Sequence, residues 1–112
     1  MSERGRRIGL NEAVLREVNE RIEELAEEFR LKREPLSLVC ECGNPSCVQQ
    51  IQLTRAEYEA VRSDPTHFAV FPGHEIPGVE DVVEHRGGYD VIRKKEGTPT
   101  RIAEDTDPRR PG

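Results

Sequence analysis

The chain has 112 residues and a formal net charge of −5, from 22 acidic and 17 basic side chains. This length favours a single domain, and the acidic balance argues against a protein that binds nucleic acid, which usually carries a basic surface. No apolar run approaches the ~18 residues of a membrane helix, and no apolar segment follows the basic N-terminus, so we expect a cytoplasmic protein without a signal peptide.

A helical pattern dominates the first third of the chain. We predict a flexible basic arm at residues 1–9 and then a helix from Leu10 to about Leu31, with Asn11 as its N-cap. Apolar side chains recur along this helix at spacings of three and four residues: Leu15, Val18, Ile22, Leu25 and Phe29. We expect this face either to dock on the domain's own sheet or to pair with a second copy or with a helix of a partner protein.

A cysteine cluster follows the helix, because Cys40, Cys42 and Cys47 are all the cysteines of the chain. Residues 36–40 are typical of a strand, on which side chains two apart point to the same face, so Cys40 and Cys42 should converge. The turn-forming residues 43–45 would bring Cys47 back toward them. The spacing C-x-C-x4-C therefore predicts three thiolate ligands of a zinc site. A cluster of free thiols, a local disulfide with one odd cysteine and an iron–sulfur cluster with mixed ligands are the alternatives.

The middle of the chain predicts a strand followed by a short helix. Residues 48–53 alternate between apolar and polar, as in a half-buried strand, and should pair antiparallel with residues 36–40. Thr54 and Glu57 have the spacing of a capping box, which predicts a helix from Arg55 to Ser63.

The remainder of the chain predicts further strands and a flexible end. The strands are expected at residues 68–71, 79–84 and 89–93. Gly87-Gly88 should form the hairpin turn between the last two, and residues 97–112 are polar and rich in proline, which predicts a flexible tail. The fold class is therefore α+β, in one zinc-binding domain at residues 10–96. It combines a long N-terminal amphipathic helix and a small antiparallel sheet with one short helix, built around a zinc knuckle.

Three histidines are candidates for the fourth metal ligand. His74 is preferred because it follows Pro72-Gly73, a break after an apolar strand, where glycine lets the backbone turn sharply toward a metal. That position lies beside the cysteines if the preceding strand joins the same sheet. His67, at the entry to a strand, and His85, beside the hairpin turn, stay open as alternatives. The predicted ligand set is thus Cys40, Cys42, Cys47 and His74.

Several segments of the chain match one further pattern when they are taken together. These are residues 11–25, Cys40-Glu41-Cys42, Cys47, residues 53–58 and Pro72-Gly73-His74-Glu75. Over residues 10–95 this combination resembles a family of short bacterial proteins, chiefly actinobacterial, whose activity is uncharacterised. The resemblance implies a cytosolic origin and a cysteine knuckle completed by a histidine, and it implies no activity.

The expected function is that of a small zinc-binding protein whose structural Cys3His site supports protein interaction or regulation. The partner would be an unidentified protein or a second copy that binds through the N-terminal helix. The alternative is a metal- or thiol-dependent enzyme or a redox sensor that uses the same site, with Glu75 beside His74 as a general base. We expect no enzyme, because three thiolates reduce the Lewis acidity of zinc and no other acid–base group accompanies them.

Overall fold

The computed structural model describes residues 3–28, 35–44, 46–95 and 98–109. Within these ranges the elements run in the order α1 (Glu3–Glu28), β1 (Leu36–Val39), β2 (Gln50–Leu53), α2 (Arg55–Arg62), β3 (His67–Val70), β4 (Glu80–His85), β5 (Asp90–Lys94) and α3 (Thr98–Asp105). A long N-terminal helix, two small antiparallel sheets and short helices confirm the predicted α+β class. None of the helices in the described ranges is both long and apolar enough to cross a membrane.

The strands form two sheets where one was expected. β1 and β2 pair antiparallel with Leu38 opposite Ile51, which confirms that prediction. β3 instead joins a second sheet of order β3-β5-β4, so the condition under which His74 was placed beside the cysteines, a shared sheet, is not met. The two sheets nevertheless meet, because the Glu41 N–H donates to the Ala69 carbonyl oxygen at 2.9 Å. This backbone hydrogen bond lies beside the cysteine cluster.

Local turn and cap signals are confirmed in the second half of the chain. The Thr54 hydroxyl accepts from the Glu57 N–H at 3.1 Å, and the Glu57 carboxylate accepts from the Thr54 N–H at 2.8 Å, which completes the capping box of α2. The β4–β5 hairpin closes through the Arg86 N–H, which donates to the Tyr89 carbonyl oxygen at 2.9 Å. Gly87 lies in this turn with φ +86°, a conformation that glycine adopts without strain.

Among the residues that the structure describes, the core forms two apolar clusters. The first lies between the β1–β2 sheet and the helices and includes Leu38, Ile51, Leu53, Tyr58 and Val61. The second contains Cys40 and Cys42 together with Phe68, Val70, Ile92 and Ala103. The two cysteines are each 2% exposed. The cysteine cluster is therefore part of the core of the domain and not an appended loop.

Helix α1 begins seven residues earlier than its apolar pattern indicates, at Glu3 and not Leu10. The prediction of a flexible arm at residues 1–9 is thus corrected for residues 3–9, and residues 1 and 2 lie outside the described ranges. Ile8 explains the extension, because it is buried against Gly43 of the cysteine loop. Asn11 is not an N-cap; its side-chain amide donates to the Gly43 carbonyl oxygen at 3.3 Å.

The C-terminal segment is also ordered. We predicted a flexible tail at residues 97–112, but Thr98–Asp105 form α3, which packs on α1. Ala103 is 2% exposed, and the carbonyl oxygen of the same residue accepts from the Arg16 guanidinium at 2.8 Å. The polar composition of this segment did not predict a helix. Its docking depends in part on Arg16, a charged side chain far away in sequence. Residues 96–97 and 110–112 lie outside the described ranges.

The buried face of α1 is largely polar, which the apolar stripe did not predict. Glu12, Arg16 and Asn19 are each 0% exposed. Val18 is 40% exposed, and the other stripe residues in the described ranges are half-buried: Leu15, Ile22 and Leu25. Phe29 and Leu31 lie outside those ranges. The helix thus docks through hydrogen bonds and ion pairs as much as through apolar contacts.

Candidate metal centre

The three cysteines are positioned by the end of β1 and by the loop that follows it. The Cys40 N–H donates to the Gln49 carbonyl oxygen at 3.1 Å, which extends the β1–β2 ladder by one hydrogen bond. In the loop, the Cys47 N–H donates to the Asn44 carbonyl oxygen at 3.1 Å, and the Asn44 side chain accepts from the Ser46 N–H at 2.9 Å. Asn44 therefore sets the turn that returns Cys47 toward the other sulfurs. Pro45 lies outside the described residues.

His74 is placed by a tight turn after β3. The His74 N–H donates to the Phe71 carbonyl oxygen at 3.0 Å, and Gly73 has φ +86°. Pro72 followed by glycine with positive φ is the sequence that a type II turn favours. The Gly73 N–H also donates to the Asp90 carboxylate of β5 at 3.1 Å, which holds the turn against the second sheet. The predicted role of Pro72-Gly73 as the break that orients His74 thus agrees with the structure.

The structure brings Cys40, Cys42, Cys47 and His74 together, and their potential ligand atoms all lie within 4.8 Å of one another. The Nδ1 atom of His74 is 3.6 Å from the Sγ atoms of both Cys40 and Cys47. A tetrahedral zinc site with ordinary bond lengths has sulfur–nitrogen edges of about 3.6 Å and sulfur–sulfur edges of about 3.8 Å. The two sulfur–nitrogen distances match such a site, and the spread of the four atoms, within 4.8 Å, is compatible with a single metal ion. The three cysteines are not joined by disulfides.

The surroundings of the sulfurs disfavour unpaired thiolates. Burial raises the pKa of the Cys40 thiol to about 12, although the hydrogen bond from the Phe71 N–H to its sulfur at 3.1 Å opposes this. Burial also raises the pKa of Cys42. A thiolate in this position requires a neighbouring positive charge, and a bound metal ion supplies one. The Phe71 N–H then donates to a sulfur that carries negative charge, which is the stronger kind of hydrogen bond.

Glu41, between the first two cysteines, is a site residue that the sequence analysis did not single out. It is 0% exposed, and its carboxylate accepts from the Ala69 N–H at 3.0 Å and from the Asn19 amide at 2.7 Å. Asn19 in turn hydrogen bonds both the N–H and the carbonyl oxygen of Val39, at 2.8 and 2.9 Å. These bonds connect the cysteine segment to α1 and β3. The sequence carried a signal for this role of Glu41. Side chains alternate along a strand, so Glu41 must point away from the face that Cys40 and Cys42 share.

The other two histidines lie elsewhere. The Nε2 atom of His67 is 3.5 Å from an Asp64 carboxylate oxygen. The Nδ1 atom of His85 is 2.9 Å from an oxygen of Asp90, the residue that also holds the His74 turn. In the part of the chain that the structure describes, neither histidine belongs to the cluster of potential metal ligands, and neither does Glu75. Of the three candidates for the fourth position, only His74 is therefore within reach of the sulfurs.

Comparisons of the chain with protein-family models, with curated proteins and with solved structures found no significant match. The resemblance to short actinobacterial proteins therefore stays a prediction. The four-residue cluster and the contacts around it are therefore the basis for assigning a function.

Proposed function

We propose that this protein is a small zinc-binding module whose metal is structural and whose surface serves protein interaction or regulation in the cytoplasm, without catalysis. The observation that supports the metal most directly is the position of four potential ligand atoms within 4.8 Å of one another. Three thiolates and one imidazole form a donor set typical of structural zinc, in which protein side chains take all four positions. Such a closed site leaves no ligand position for a substrate or an activated water.

The location of the ligands supports a structural role. Cys40 follows a strand of the first sheet, whereas His74 follows a strand of the second. A metal held by both would link the two sheets where, among the described residues, the Glu41 N–H donates to the Ala69 carbonyl oxygen. Small domains often require such a link, because their apolar cores contribute little net stability. Residues Cys40, Cys42, Cys47 and His74 would hold the ion, and the ion would supply charge neutralisation and a cross-link.

The alternatives have less support. A redox sensor requires thiols with a low pKa, and burial raises that of Cys40 and Cys42. A metal-dependent enzyme requires an open coordination position and a nearby general base, and Glu75 is not in the cluster. Iron can occupy tetrahedral thiolate-rich sites as zinc does, so identification of the metal is part of the test.

The test is native mass spectrometry of the purified protein, combined with zinc competition against a chromophoric chelator. We expect one zinc per chain, and we expect His74→Ala to weaken zinc binding by orders of magnitude. His67→Ala and His85→Ala are matched controls that should leave the affinity nearly unchanged. An unchanged affinity for His74→Ala would remove this residue from the site, and failure of the wild type to bind zinc would refute the proposed metal.

Substitution of cobalt for zinc separates a closed site from an open one. Cobalt in a tetrahedral site with three sulfurs gives intense visible absorption that an added small anion cannot alter when no position is open. A spectrum that changes on addition of cyanide or azide would instead favour the enzyme, because it would reveal an exchangeable ligand.

A further inference from the structure

Three ionisable side chains meet in the interior between α1 and the β4–β5 hairpin. Glu12 of α1, Glu80 of β4 and Lys94 of β5, which we call the Lys94 cluster, are 0%, 3% and 2% exposed. The Lys94 ammonium donates to the Glu80 carboxylate at 2.7 Å and is also paired with the Glu12 carboxylate. The Lys94 cluster is distinct from the four potential metal ligands.

The Lys94 cluster contains more acid than base. One carboxylate balances the charge of the ammonium, and the other adds an excess negative charge in a place that is shielded from water. Such a charge is costly in the interior, and a carboxyl group removes it by binding a proton. Glu12 and Glu80 should therefore share one ammonium and one proton, as neighbouring carboxylates do when they cannot both be ionised.

Two charged groups face the Lys94 cluster from outside it, and they have opposite signs. The Arg16 guanidinium lies 4.6 Å from the centre of the Phe68 ring, and the Lys94 ammonium lies 5.6 Å from the same centre. The hydrogen bonds of Arg16, however, go to backbone carbonyl oxygens of other segments. Glu75 adds a negative charge near Glu80. Together these two groups leave the excess of acid in place.

The other charged side chains of the strands and of α3 near the cluster are exposed or paired with one another. Asp81 pairs with Lys95 at 2.9 Å across the β4–β5 hairpin, and His67 of β3 lies 3.5 Å from Asp64. The exposed ones are Glu84, Arg93, Arg101, Glu104 and Asp105. Within the described part of the chain, the Lys94 cluster therefore depends on its own three members for charge balance.

The surroundings of Glu80 favour the protonated acid. Burial raises the pKa of Glu80 from 4.5 to about 7; the hydrogen bond from the Ile76 N–H opposes this rise, and the charge of Glu75 adds to it. Burial also lowers the pKa of Lys94 to about 7, but contact with two carboxylates favours the charged ammonium. The proton that leaves near neutrality should therefore come from the carboxylates.

The sign of the pH effect follows from the raised pKa of Glu80. Between pH 4.5 and 7 the folded state keeps a proton that the unfolded state has released. The stabilisation from this proton is complete below the unfolded pKa and is lost as the pH rises through 7.

The excess charge acts mainly on the contact between α1 and the hairpin. Glu80 and Lys94 are opposite each other in the β4–β5 ladder, so the backbone holds them together. Glu12 belongs to α1, and among the described residues no backbone hydrogen bond joins α1 to this hairpin. The helix is therefore the element that can move away when Glu12 and Glu80 are both ionised and repel each other.

We propose that Glu12, Glu80 and Lys94 form a buried proton-binding site that fastens α1 to the β4–β5 hairpin, and that loss of the proton as the pH rises through neutrality loosens the helix. The step is a single deprotonation, in which the O–H bond of one carboxyl group breaks and the proton passes to solvent. This inference goes beyond the metal module and does not depend on a bound ion.

Carbon NMR of the glutamate carboxyl groups, in the full-length metal-loaded protein, tests the proton. We expect a titration step near pH 7 that Glu80→Gln abolishes. Glu12→Gln should abolish it as well, because the carboxylate that remains is balanced by Lys94. Glu84→Gln, at an exposed position of β4, is the matched control and should keep the step. The proposal is overturned if the wild type has no such step, or if the step persists in both cluster variants.

Hydrogen exchange of the α1 amides tests the loosening. After correction for intrinsic exchange, protection at residues 8–20 should fall about tenfold from pH 6 to pH 8 in the wild type, because opening releases one proton up to pH 7. Glu80→Gln and Glu12→Gln should show no such fall. All three proteins carry the same cysteines and His74, so any effect of pH on the metal site is common to them. An equal fall in the wild type and in both variants would refute the loosening.

Discussion

Gly43 shows how closely the first helix approaches the cysteine loop. A Cβ atom placed on Gly43 would lie 2.5 Å from Cγ2 of Ile8 and 3.1 Å from the Ile8 carbonyl oxygen. Backbone atoms of α1 cannot move aside without moving the helix. A glycine at this position therefore allows the N-terminal turns of α1 to dock on the loop.

We predict that Gly43→Ala lowers the free energy of unfolding by about 1–3 kcal/mol, because the added methyl group overlaps Ile8. Gly88→Ala is the control, since no atom lies within 4 Å of a Cβ at Gly88. Urea denaturation of the metal-loaded protein measures both. Adding Ile8→Ala to Gly43→Ala should return part of the loss if the overlap is its cause. Equal stability of the two glycine variants would show that α1 does not contact the loop as described.

Glu41 is the residue through which α1 and β3 hold the cysteine segment. Its two carboxylate oxygens accept from two different N–H donors, on Asn19 and Ala69. Burial raises the pKa of this carboxyl, and the two hydrogen bonds oppose the rise. A neutral amide in its place would offer only one acceptor oxygen and would leave one buried donor without a partner.

We predict that Glu41→Gln lowers the free energy of unfolding by about 1–3 kcal/mol and weakens zinc binding, because the orientation of Cys40 and Cys42 depends on this anchor. Glu84→Gln is the matched control, as Glu84 is exposed on β4. Chemical denaturation and chelator competition are the two measurements. If Glu41→Gln binds zinc as tightly as Glu84→Gln does, Glu41 has no role in positioning the ligands.

Helices and turns that depend on residues near one another in the chain were predicted well from the sequence. Contacts between residues far apart in the chain were not. The capping box at Thr54, the Pro72-Gly73 turn and the β4–β5 hairpin each depend on residues near one another in the chain, so their patterns could be recognised directly. The orientation of α1 depends on partners far away in sequence. Arg16 donates to the carbonyl oxygens of Pro65 and Ala103, at 2.7 and 2.8 Å. Apolar periodicity does not reveal a helix face that is buried by hydrogen bonding.

Arg16 is the side chain that most directly joins α1 to α3. Besides its two carbonyl partners, its guanidinium lies 4.6 Å from the centre of the Phe68 ring. We predict that Arg16→Lys lowers the free energy of unfolding by about 1–3 kcal/mol, because an ammonium cannot reproduce the planar, forked contacts. The control is Arg21→Lys, at an exposed position on the same helix.

Limited proteolysis gives a second measurement for Arg16→Lys. The variant should be cleaved within residues 98–109 faster than the wild type, since α3 loses a contact at Ala103. Cleavage at the wild-type rate, together with unchanged stability, would contradict the role assigned to Arg16 in docking α3.

A second contact between elements involves Glu23 of α1, Glu59 of α2 and Arg109. Arg109 donates to Glu59 at 2.6 Å and to Glu23 at 3.1 Å. The pKa of Glu23 is raised from 4.5 to about 7. Burial is the largest cause, and the hydrogen bond with Glu59 is the next. Between these values the folded state keeps a proton that the unfolded state has released. The stabilisation from this group is therefore complete below its unfolded pKa and is lost as the pH rises toward 7.

We predict that Glu23→Gln removes this loss of stability with rising pH, because glutamine resembles the protonated acid at every pH. The free energy of unfolding of the variant should rise by about 1–2 kcal/mol relative to the wild type between pH 4.5 and 7. This is less than the full pKa shift would give, because solvent that reaches Glu59 and Arg109 screens their charges. Urea denaturation of both proteins across this range measures the difference, in which the shared metal contribution cancels. A difference that does not change with pH would contradict the raised pKa.

At the scale of the whole molecule, the candidate site was more predictable than the tertiary arrangement around it. The three cysteines are close in sequence, so their convergence follows from one strand and one turn. His74 was chosen for its Pro72-Gly73 turn, and the structure places it beside the sulfurs, but by a different route from the one expected. Its strand belongs to the second sheet, and the Glu41–Ala69 contact brings that sheet to the cysteines. A contact that depends on a buried carboxylate cannot be deduced from strand patterns.

The arrangement of two sheets predicts what removal of the metal should do. Only His74 of the proposed ligands comes from the segment after β3, so the ion would link the second sheet to the first. We predict that a strong chelator lowers the free energy of unfolding by several kcal/mol, because the ion binds the folded chain and not the unfolded one. Amide signals from Phe68–His74 and from the cysteine loop should change first and most.

Readdition of zinc is the control, and it should restore the original spectrum. The triple variant Cys40→Ser, Cys42→Ser and Cys47→Ser should resemble the chelated wild type and should not respond to zinc. A chelated protein that is shown to be free of metal and yet keeps the dispersion and stability of the untreated sample would contradict the structural role. In that case the hydrogen bonds of Glu41 and Asn19, and not an ion, would be what holds the two sheets together.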